Sequence, residues 1–218
     1  MNEDHAVWGP WTGALSPLTY RFEVTKVGDG DFEYVLESKP KNEGDEAYVA
    51  IVSGAAHLDG QDRGRGNFVV DGDAMHALDP YEWPGAGTAA VAYDLQAEPL
   101  AIEVEFANWT GGWHPPVDAT YGYHEAADQS GDFEYSAEAD VDGGFSALES
   151  LVVNSRWVSG GSGQSDAAVT GGDVASGVTV TATECWDDSF GRTYWTDSAG
   201  LVATEGDPAA CAFATPAE

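Results

Sequence analysis

The feature that most constrains the fold is an alternation of apolar and polar residues. From Leu18 to Val24 every second residue is apolar, and the residues between them are polar. The segment 178–182 repeats the pattern, and 32–36 and 100–106 repeat it with Val35 and Ala101 as exceptions. A period of two with one polar side is typical of antiparallel strands. Glycine- and aspartate-rich clusters at 28–31, 59–62 and 160–163 separate the runs and suit tight turns. The sequence therefore predicts an all-β chain, with helix confined to 73–78.

An internal repeat organises these strands. Thr19-Tyr20 recurs as Thr120-Tyr121, and 30–34 recurs as 131–135, both at an offset of 101. Further matches at offsets of 98 to 100 relate Trp11-Thr12-Gly13 to 109–111, Gly60 to Gly160, Val69 to Val169, and Gly72-Asp73 to Gly172-Asp173. We interpret the series as a tandem duplication. It predicts an N-terminal segment 1–10, a first β unit 11–108 and a second β unit 109–218.

Each unit holds six predicted strands: 18–26, 32–38, 48–56, 66–71, 88–95 and 100–107, then 119–126, 132–139, 149–158, 166–171, 177–186 and 192–197. The joining segment 108–116 is too short and too aromatic for a flexible linker, so we expect Trp109 and Trp113 to be buried where the units meet. We predict one compact antiparallel barrel or sandwich of about twelve strands with a pseudo-twofold axis. Closure would remove exposed sheet edges.

The charge balance excludes two classes of partner. The chain has 38 Asp and Glu against 8 Lys and Arg, a formal net charge of -30. Nucleic acids and anionic membrane surfaces both require clustered cations, so neither is an expected partner. Self-repulsion favours a monomer. The acidity fits either a salt-rich setting or an ordinary secreted protein from a GC-rich genome. No apolar run is long enough to predict a transmembrane helix.

The two cysteines bear on the compartment. Cys185 and Cys211 have no CxxC spacing and no nearby histidine, so they are not expected to bind a metal. A disulfide that ties the tail to the last strands is the favoured interpretation, and two unrelated buried thiols are the alternative. The N-terminal residues do not form a signal peptide. The chain is thus either cytoplasmic or the mature part of an exported protein, and the disulfide favours export.

A search for chemistry yields no catalytic motif. The chain contains no nucleophile elbow, HExxH, P-loop or GxGxxG, so we predict no catalytic residue, no metal and no cofactor. Three aspartate pairs could bind Ca²⁺, although turn capping is the favoured explanation for most of these positions: Asp71/Asp73, Asp140/Asp142 and Asp187/Asp188. Nor do the histidines show metal-ligand spacing: His5, His57, His76, His114 and His124.

Eight tryptophans are many for this length. They could form a platform on which sugar rings stack, or they could fill the wide core of a β protein, which is the interpretation we favour here. They are Trp8, Trp11, Trp83, Trp109, Trp113, Trp157, Trp186 and Trp195.

A resemblance adds to this interpretation. The motifs 155–157, 161–166, 171–173, 184–187, 205–207 and 210–213, with Phe190, Tyr194 and Asp197, form one set, and 64–68, 71–74 and 78–80 form another. Together they resemble uncharacterised exported lipoproteins of myxobacteria and related proteobacteria. The resemblance implies export and a lipid-anchored cysteine just before Asn2, replaced here by Met1. It supports the disulfide and implies no catalytic residue.

These observations predict a non-catalytic exported protein of the cell envelope, structural or ligand-binding, with an unidentified ligand or partner. It would be an outer-membrane lipoprotein, or periplasmic or extracellular. Three alternatives stay open: a carbohydrate-binding module with exposed Trp or Tyr, a secreted hydrolase with a carboxylate-based site, and a salt-adapted cytoplasmic protein with free thiols.

Overall fold

A computed structural model describes residues 4–60, 63–110, 115–141 and 147–213. Fourteen strands and one short helix make up this part of the chain. They are β1 (His5–Trp11), β2 (Leu18–Lys26), β3 (Asp31–Pro40), β4 (Val49–Leu58), β5 (Gly64–Asp71), α1 (Gly72–Leu78), β6 (Ala86–Asp94), β7 (Leu100–Thr110), β8 (Val117–Glu125), β9 (Gly131–Ala139), β10 (Glu149–Trp157), β11 (Gly163–Gly171), β12 (Val180–Trp186), β13 (Arg192–Asp197) and β14 (Glu205–Gly206).

The strands form one antiparallel sheet in which each strand lies beside its successor in the chain. The all-β antiparallel prediction is therefore confirmed. The sheet is open, with β1 and β14 at its ends, so the predicted closure into a barrel is not observed. No helix in the described ranges is long and apolar enough to cross a membrane.

Two strands go beyond the predicted twelve. Every residue of β1 is exposed, so this edge strand has no buried side to impose an alternation on its sequence. The other addition, β14, has only two residues, which is too short to show any period.

The chain divides into two compact units. The first comprises Met1–Gln96 and Val104–Val117, and the second comprises Ala97–Glu103 and Asp118–Glu218. Strand β7 contributes residues to both. The predicted boundary at 108/109 stays a prediction.

The matched segments of the repeat pair in different registers. Tyr20 on β2 pairs with Ser38, whereas Tyr121 on β8 pairs with Tyr135, the counterpart of Tyr34. The two hairpins therefore differ by four residues in register, because the second turn closes earlier. In the first turn the Val27 N–H donates to the Asp31 carbonyl, and the counterpart of Asp31 in the repeat is Asp132. In the second turn the Ala126 N–H donates to the carbonyl of residue 130, which precedes Asp132 by two positions. The strand pairing thus lends no support to the duplication, which stays a prediction.

The one α-helix lies where the sequence predicts it. Asp71 ends β5 and caps the helix, because its carboxylate accepts the Ala74 N–H at 2.8 Å. The Asp73 carboxylate accepts the Gly87 N–H at 2.8 Å and ties the helix to β6. The helix packs on β3, β4 and β6, in the neighbourhood of the buried Ala89.

The first unit has an aromatic side and a polar side. Residues paired across an antiparallel ladder share a side of the sheet. The row Phe22, Leu36, Val52, Val70 and Ala89 is apolar, whereas the row Asp31, His57, Arg65 and Asp94 carries charge on every strand. The two rows lie on opposite sides of the sheet, because their members on β3, Leu36 and Asp31, are separated by an odd number of positions. The apolar side carries the aromatic rings described below.

In the second unit the predicted disulfide is confirmed. Cys185 on β12 is fully buried and is bonded to Cys211, with 5.3 Å between the two Cα atoms. Asp207 begins the short 3-10 turn Pro208–Ala210, and its carboxylate accepts the Ala209 N–H at 2.9 Å. This turn brings Cys211 to the sheet. The Arg156 guanidinium lies 4.3 Å from the centre of the Phe213 ring and adds a second contact to the tail.

Candidate functional site: an exposed aromatic face

Two rows of aromatic rings cross the first strands of the sheet. The Trp8 ring centre lies 5.8 Å from that of Phe22, which lies 6.2 Å from that of Tyr34. Beside this row, the Trp11 ring stacks on the Tyr20 ring, with 6.1 Å between centres and 25° between planes. Both tryptophans pair with even-numbered residues of β2, so all five rings lie on one side of the sheet. We call this side of β1–β6 the aromatic face.

A third tryptophan reaches the aromatic face from the segment after α1. Asp79 shapes this segment, because its carboxylate accepts the N–H groups of Tyr81 and Glu82 at 3.0 and 3.1 Å. The Trp83 N–H donates to the Asp79 carbonyl at 2.9 Å, and the His76 Nδ1–H donates to the Trp83 carbonyl at 2.8 Å. These bonds fix the segment with Trp83 close enough to Tyr20 to influence the pKa of its hydroxyl.

The three tryptophans are exposed. The exposed fractions are 53% for Trp8, 45% for Trp11 and 37% for Trp83. The expectation that tryptophans fill the core does not hold for these three. An exposed aromatic surface on one side of a sheet is more typical of a binding site than of core packing.

The Tyr20 hydroxyl gives the aromatic face a polar centre. Partial burial raises the pKa of Tyr20, and the Glu82 and Asp79 carboxylates raise it further, while hydrogen bonds from Ser16 and Trp83 oppose them. The phenol therefore stays protonated and retains both a donor and acceptor capacity.

Two glycines extend the aromatic face towards β6. A Cβ atom at Gly54 would lie 2.8 Å from the Tyr34 hydroxyl, and one at Gly66 would lie 2.7 Å from the Tyr93 hydroxyl. The Tyr34 hydroxyl donates to the Asn67 carbonyl at 3.3 Å. Burial is the main cause that raises the pKa of Tyr34, and Tyr93 adds to it. The missing side chains let both rings lie close over the strands.

Charged side chains of the same strands lie on the polar side. The Arg21 guanidinium binds Glu37 at 2.6 Å and Glu23 at 3.0 Å. His57 contacts the Asp31 carboxylate through Nδ1 at 2.6 Å and the Asp59 carboxylate through Nε2 at 3.0 Å. These contacts raise the pKa of His57, with the bond to Asp31 as the largest cause.

The other residues singled out by the sequence have structural partners. The Asp187 carboxylate accepts N–H groups of Ser189 and Gly191 in its own turn, as Asp71 accepts that of Ala74. Asp73 instead accepts the Gly87 N–H on β6. His124 contacts Asp132 at 2.8 Å, and His5 contacts Glu23 at 3.5 Å. Within 4–60, 63–110, 115–141 and 147–213, no three His, Cys, Asp or Glu side chains gather to hold a metal ion. Asp142, His114 and Trp113 lie outside the described residues.

Trp157 and Trp186, in the second unit, fasten turns rather than form a platform. The Trp157 indole N–H donates to the Gln129 carbonyl at 2.9 Å, and that of Trp186 donates to the Gly161 carbonyl at 2.8 Å. Trp109, which lies near the end of β7 and belongs to the first unit, packs edge-on against Phe106 with 5.7 Å between ring centres. These are the packing roles expected of large aromatics.

No protein-family model matches the chain, and comparison with curated proteins and with solved structures gives no match either. The function is therefore argued from the aromatic face.

Proposed function

We propose that the chain is an exported, non-catalytic protein of the cell envelope that binds carbohydrate on its aromatic face. One observation carries the proposal: three exposed tryptophans, Trp8, Trp11 and Trp83, lie on one side of the sheet around Tyr20. An aromatic platform of this kind is what the carbohydrate-binding alternative requires.

The chemistry of sugars matches this surface. A pyranose ring has a face of C–H bonds, which packs on an aromatic ring, and a rim of hydroxyls, which needs hydrogen-bond partners. The stacked rings of Trp11 and Tyr20 offer the flat apolar surface. The Tyr20 hydroxyl and the exposed Glu82 carboxylate supply a donor and acceptors beside it.

The cellular setting is part of the proposal. The disulfide Cys185–Cys211 is compatible with export, because such bonds form and persist in oxidising compartments. We further propose that the protein is an outer-membrane lipoprotein. A glycan-binding face on an anchored protein would hold it against envelope or extracellular polysaccharide.

The test is a binding screen with matched variants. Titration calorimetry against neutral polysaccharides is expected to show binding by the natural chain. Single substitutions Trp8→Ala, Trp11→Ala and Trp83→Ala should each weaken it about tenfold, a loss of about 1.4 kcal/mol. Phe190→Ala is the control, because Phe190 is 77% exposed but belongs to the second unit. Circular dichroism verifies that each variant is folded. Natural chain that binds no polysaccharide, or tryptophan variants that bind as well as the control, would refute the proposal.

A further inference from the structure

We propose that the aromatic face accepts only glycans without acidic groups, and that Glu82 is the residue that excludes acidic sugars. This inference rests on the proposed function and names the substrate class of the same site. Three features support it: strands β2–β6 carry one cation on this side, Arg21 and Lys39 are held by acidic partners, and a carboxylate directly precedes Trp83.

The strands that build the aromatic face offer almost no positive charge. Along β2–β6, which the structure describes throughout, the residues that share a side with Phe22 and Tyr34 are uncharged except Lys26. Lys26 lies at the end of β2, paired with Phe32, six residues from Tyr20. Binding of a carboxylate or sulfate normally relies on Arg or Lys, so an acidic sugar beside Tyr20 would find no counter-charge on the strands.

Two cations near the platform, Arg21 and Lys39, are already held in ion pairs. Arg21 lies next to Tyr20 in sequence, but its side chain is on the polar side, where Glu37 and Glu23 bind it. Lys39 is buried, and its Nζ contacts Asp45 at 3.2 Å and donates to the Glu43 carbonyl at 2.5 Å. Moving either cation to the aromatic face would break these ion pairs.

A carboxylate, that of Glu82, lies in the segment that carries Trp83. Glu82 is exposed and directly precedes Trp83, and its N–H is fixed by Asp79 at 3.1 Å. Its influence reaches the platform, since it raises the pKa of Tyr20, second only to burial. A carboxylate accepts hydrogen bonds from sugar hydroxyls but repels uronate and sulfate groups. The net charge of -30 adds a repulsive background at longer range.

The experiment compares neutral and acidic forms of one backbone. The probes are hydroxyethyl cellulose against carboxymethyl cellulose, and dextran against carboxymethyl dextran, titrated at low and at high sodium chloride. Neutral forms should bind with an affinity that salt does not change. Carboxymethyl forms should bind at least about tenfold more weakly at low salt, and added salt should reduce the difference because it screens the repulsion. Glu82→Gln should narrow the difference at low salt, whereas Asp188→Asn, which removes an exposed charge in the second unit, should not.

The outcomes separate the two proposals. Equal or tighter binding of the carboxymethyl form at low salt would overturn the inference and leave carbohydrate binding in place. A Glu82→Gln variant that behaves like Asp188→Asn would overturn the role of Glu82. If neither form of either backbone binds, and the wider screen of neutral polysaccharides finds no ligand, the proposed function fails and the inference fails with it.

Discussion

His57 shows how a single residue of this acidic chain becomes sensitive to pH. Each ring nitrogen contacts a carboxylate oxygen, Nδ1 that of Asp31 and Nε2 that of Asp59. Both nitrogens donate only when the ring carries two protons, because a neutral ring would turn a lone pair towards one carboxylate. The raised pKa of His57 follows from these two bonds. The arrangement therefore stabilises the fold while the ring is charged.

The sign of the pH dependence follows from that shift. Since the folded pKa of His57 is raised, its contribution is complete below the unfolded value of about 6.5 and disappears as the pH rises through the folded value. His57→Gln should lower the thermal midpoint in mildly acidic buffer and match the natural chain in alkaline buffer. Unfolding of both chains followed over a pH series measures the difference. A difference that grows with pH would contradict the assignment.

The disulfide is the strongest single constraint on the C-terminal tail. It joins residues separated by 26 positions, and a closed loop of that size is expected to stabilise the fold by about 3 kcal/mol. Replacing both Cys185 and Cys211 by alanine should lower the free energy of unfolding by about 2–4 kcal/mol in urea titrations. The natural chain treated with a reductant is the matched comparison. An unchanged urea midpoint in both cases would show that the bond contributes nothing.

At the scale of elements, glycine shapes the aromatic face. A Cβ atom at Gly54 would lie 2.2 Å from the Asn67 carbonyl oxygen, and one at Gly66 would lie 2.4 Å from that of Ala55. Gly54→Ala or Gly66→Ala should therefore cost about 1–3 kcal/mol of stability, because the strand pair must shift to make room. Both variants should also weaken glycan binding if the displaced Tyr34 and Tyr93 rings belong to the binding surface.

Gly122 provides the control for these two variants. It lies in β8, and the nearest atom to an added Cβ would be the Glu134 Cβ at 3.9 Å, an ordinary contact. Gly122→Ala should leave stability unchanged or raise it slightly, because alanine lowers the entropy of the unfolded chain. Urea midpoints of the three variants measured together test the comparison. Equal losses in all three would mean that strand glycines are tolerated poorly for some reason other than crowding.

Alternation sufficed to predict the strands that have one apolar side and one polar side. In β2 the buried Leu18 begins an apolar row that continues through Tyr20, Phe22 and Val24. This row produces the alternation that is visible in the sequence. The exposed strand β1 contains Gly9 and Pro10 and shows no alternation in its sequence, although it carries two of the three platform tryptophans. The aromatic face could not be predicted for the same reason. Its assembly depends on the register of β1 on β2 and on the hydrogen bonds of Asp79. These bonds hold Trp83 near Tyr20, which is distant from it in sequence.

At the scale of the whole molecule, charge opposes compactness. The chain has 38 Asp and Glu but only 8 Lys and Arg, so negative charges within the folded chain repel one another. Salt screens this repulsion over a distance that falls from about 30 Å at 0.01 M to about 3 Å at 1 M. The thermal midpoint should therefore rise as sodium chloride is added. Scanning calorimetry at several salt concentrations, with a potassium chloride series as the control for ion identity, measures it. A midpoint that falls with added salt in both series would contradict the argument.

The order of the strands has a consequence for how the chain acquires its structure. Every strand pairs with its immediate successor, so the backbone ladders form between segments that are close in sequence, and no ladder has to wait for a distant part of the chain. Such low contact order favours rapid folding, and it permits a zipper-like assembly in which each hairpin extends the last as the chain emerges from amino to carboxyl end. The Cys185–Cys211 bond lies at the end of this sequence of events. An oxidising environment would lock the sheet only after nearly all of it had formed, so the bond closes a structure already assembled and does not direct its assembly.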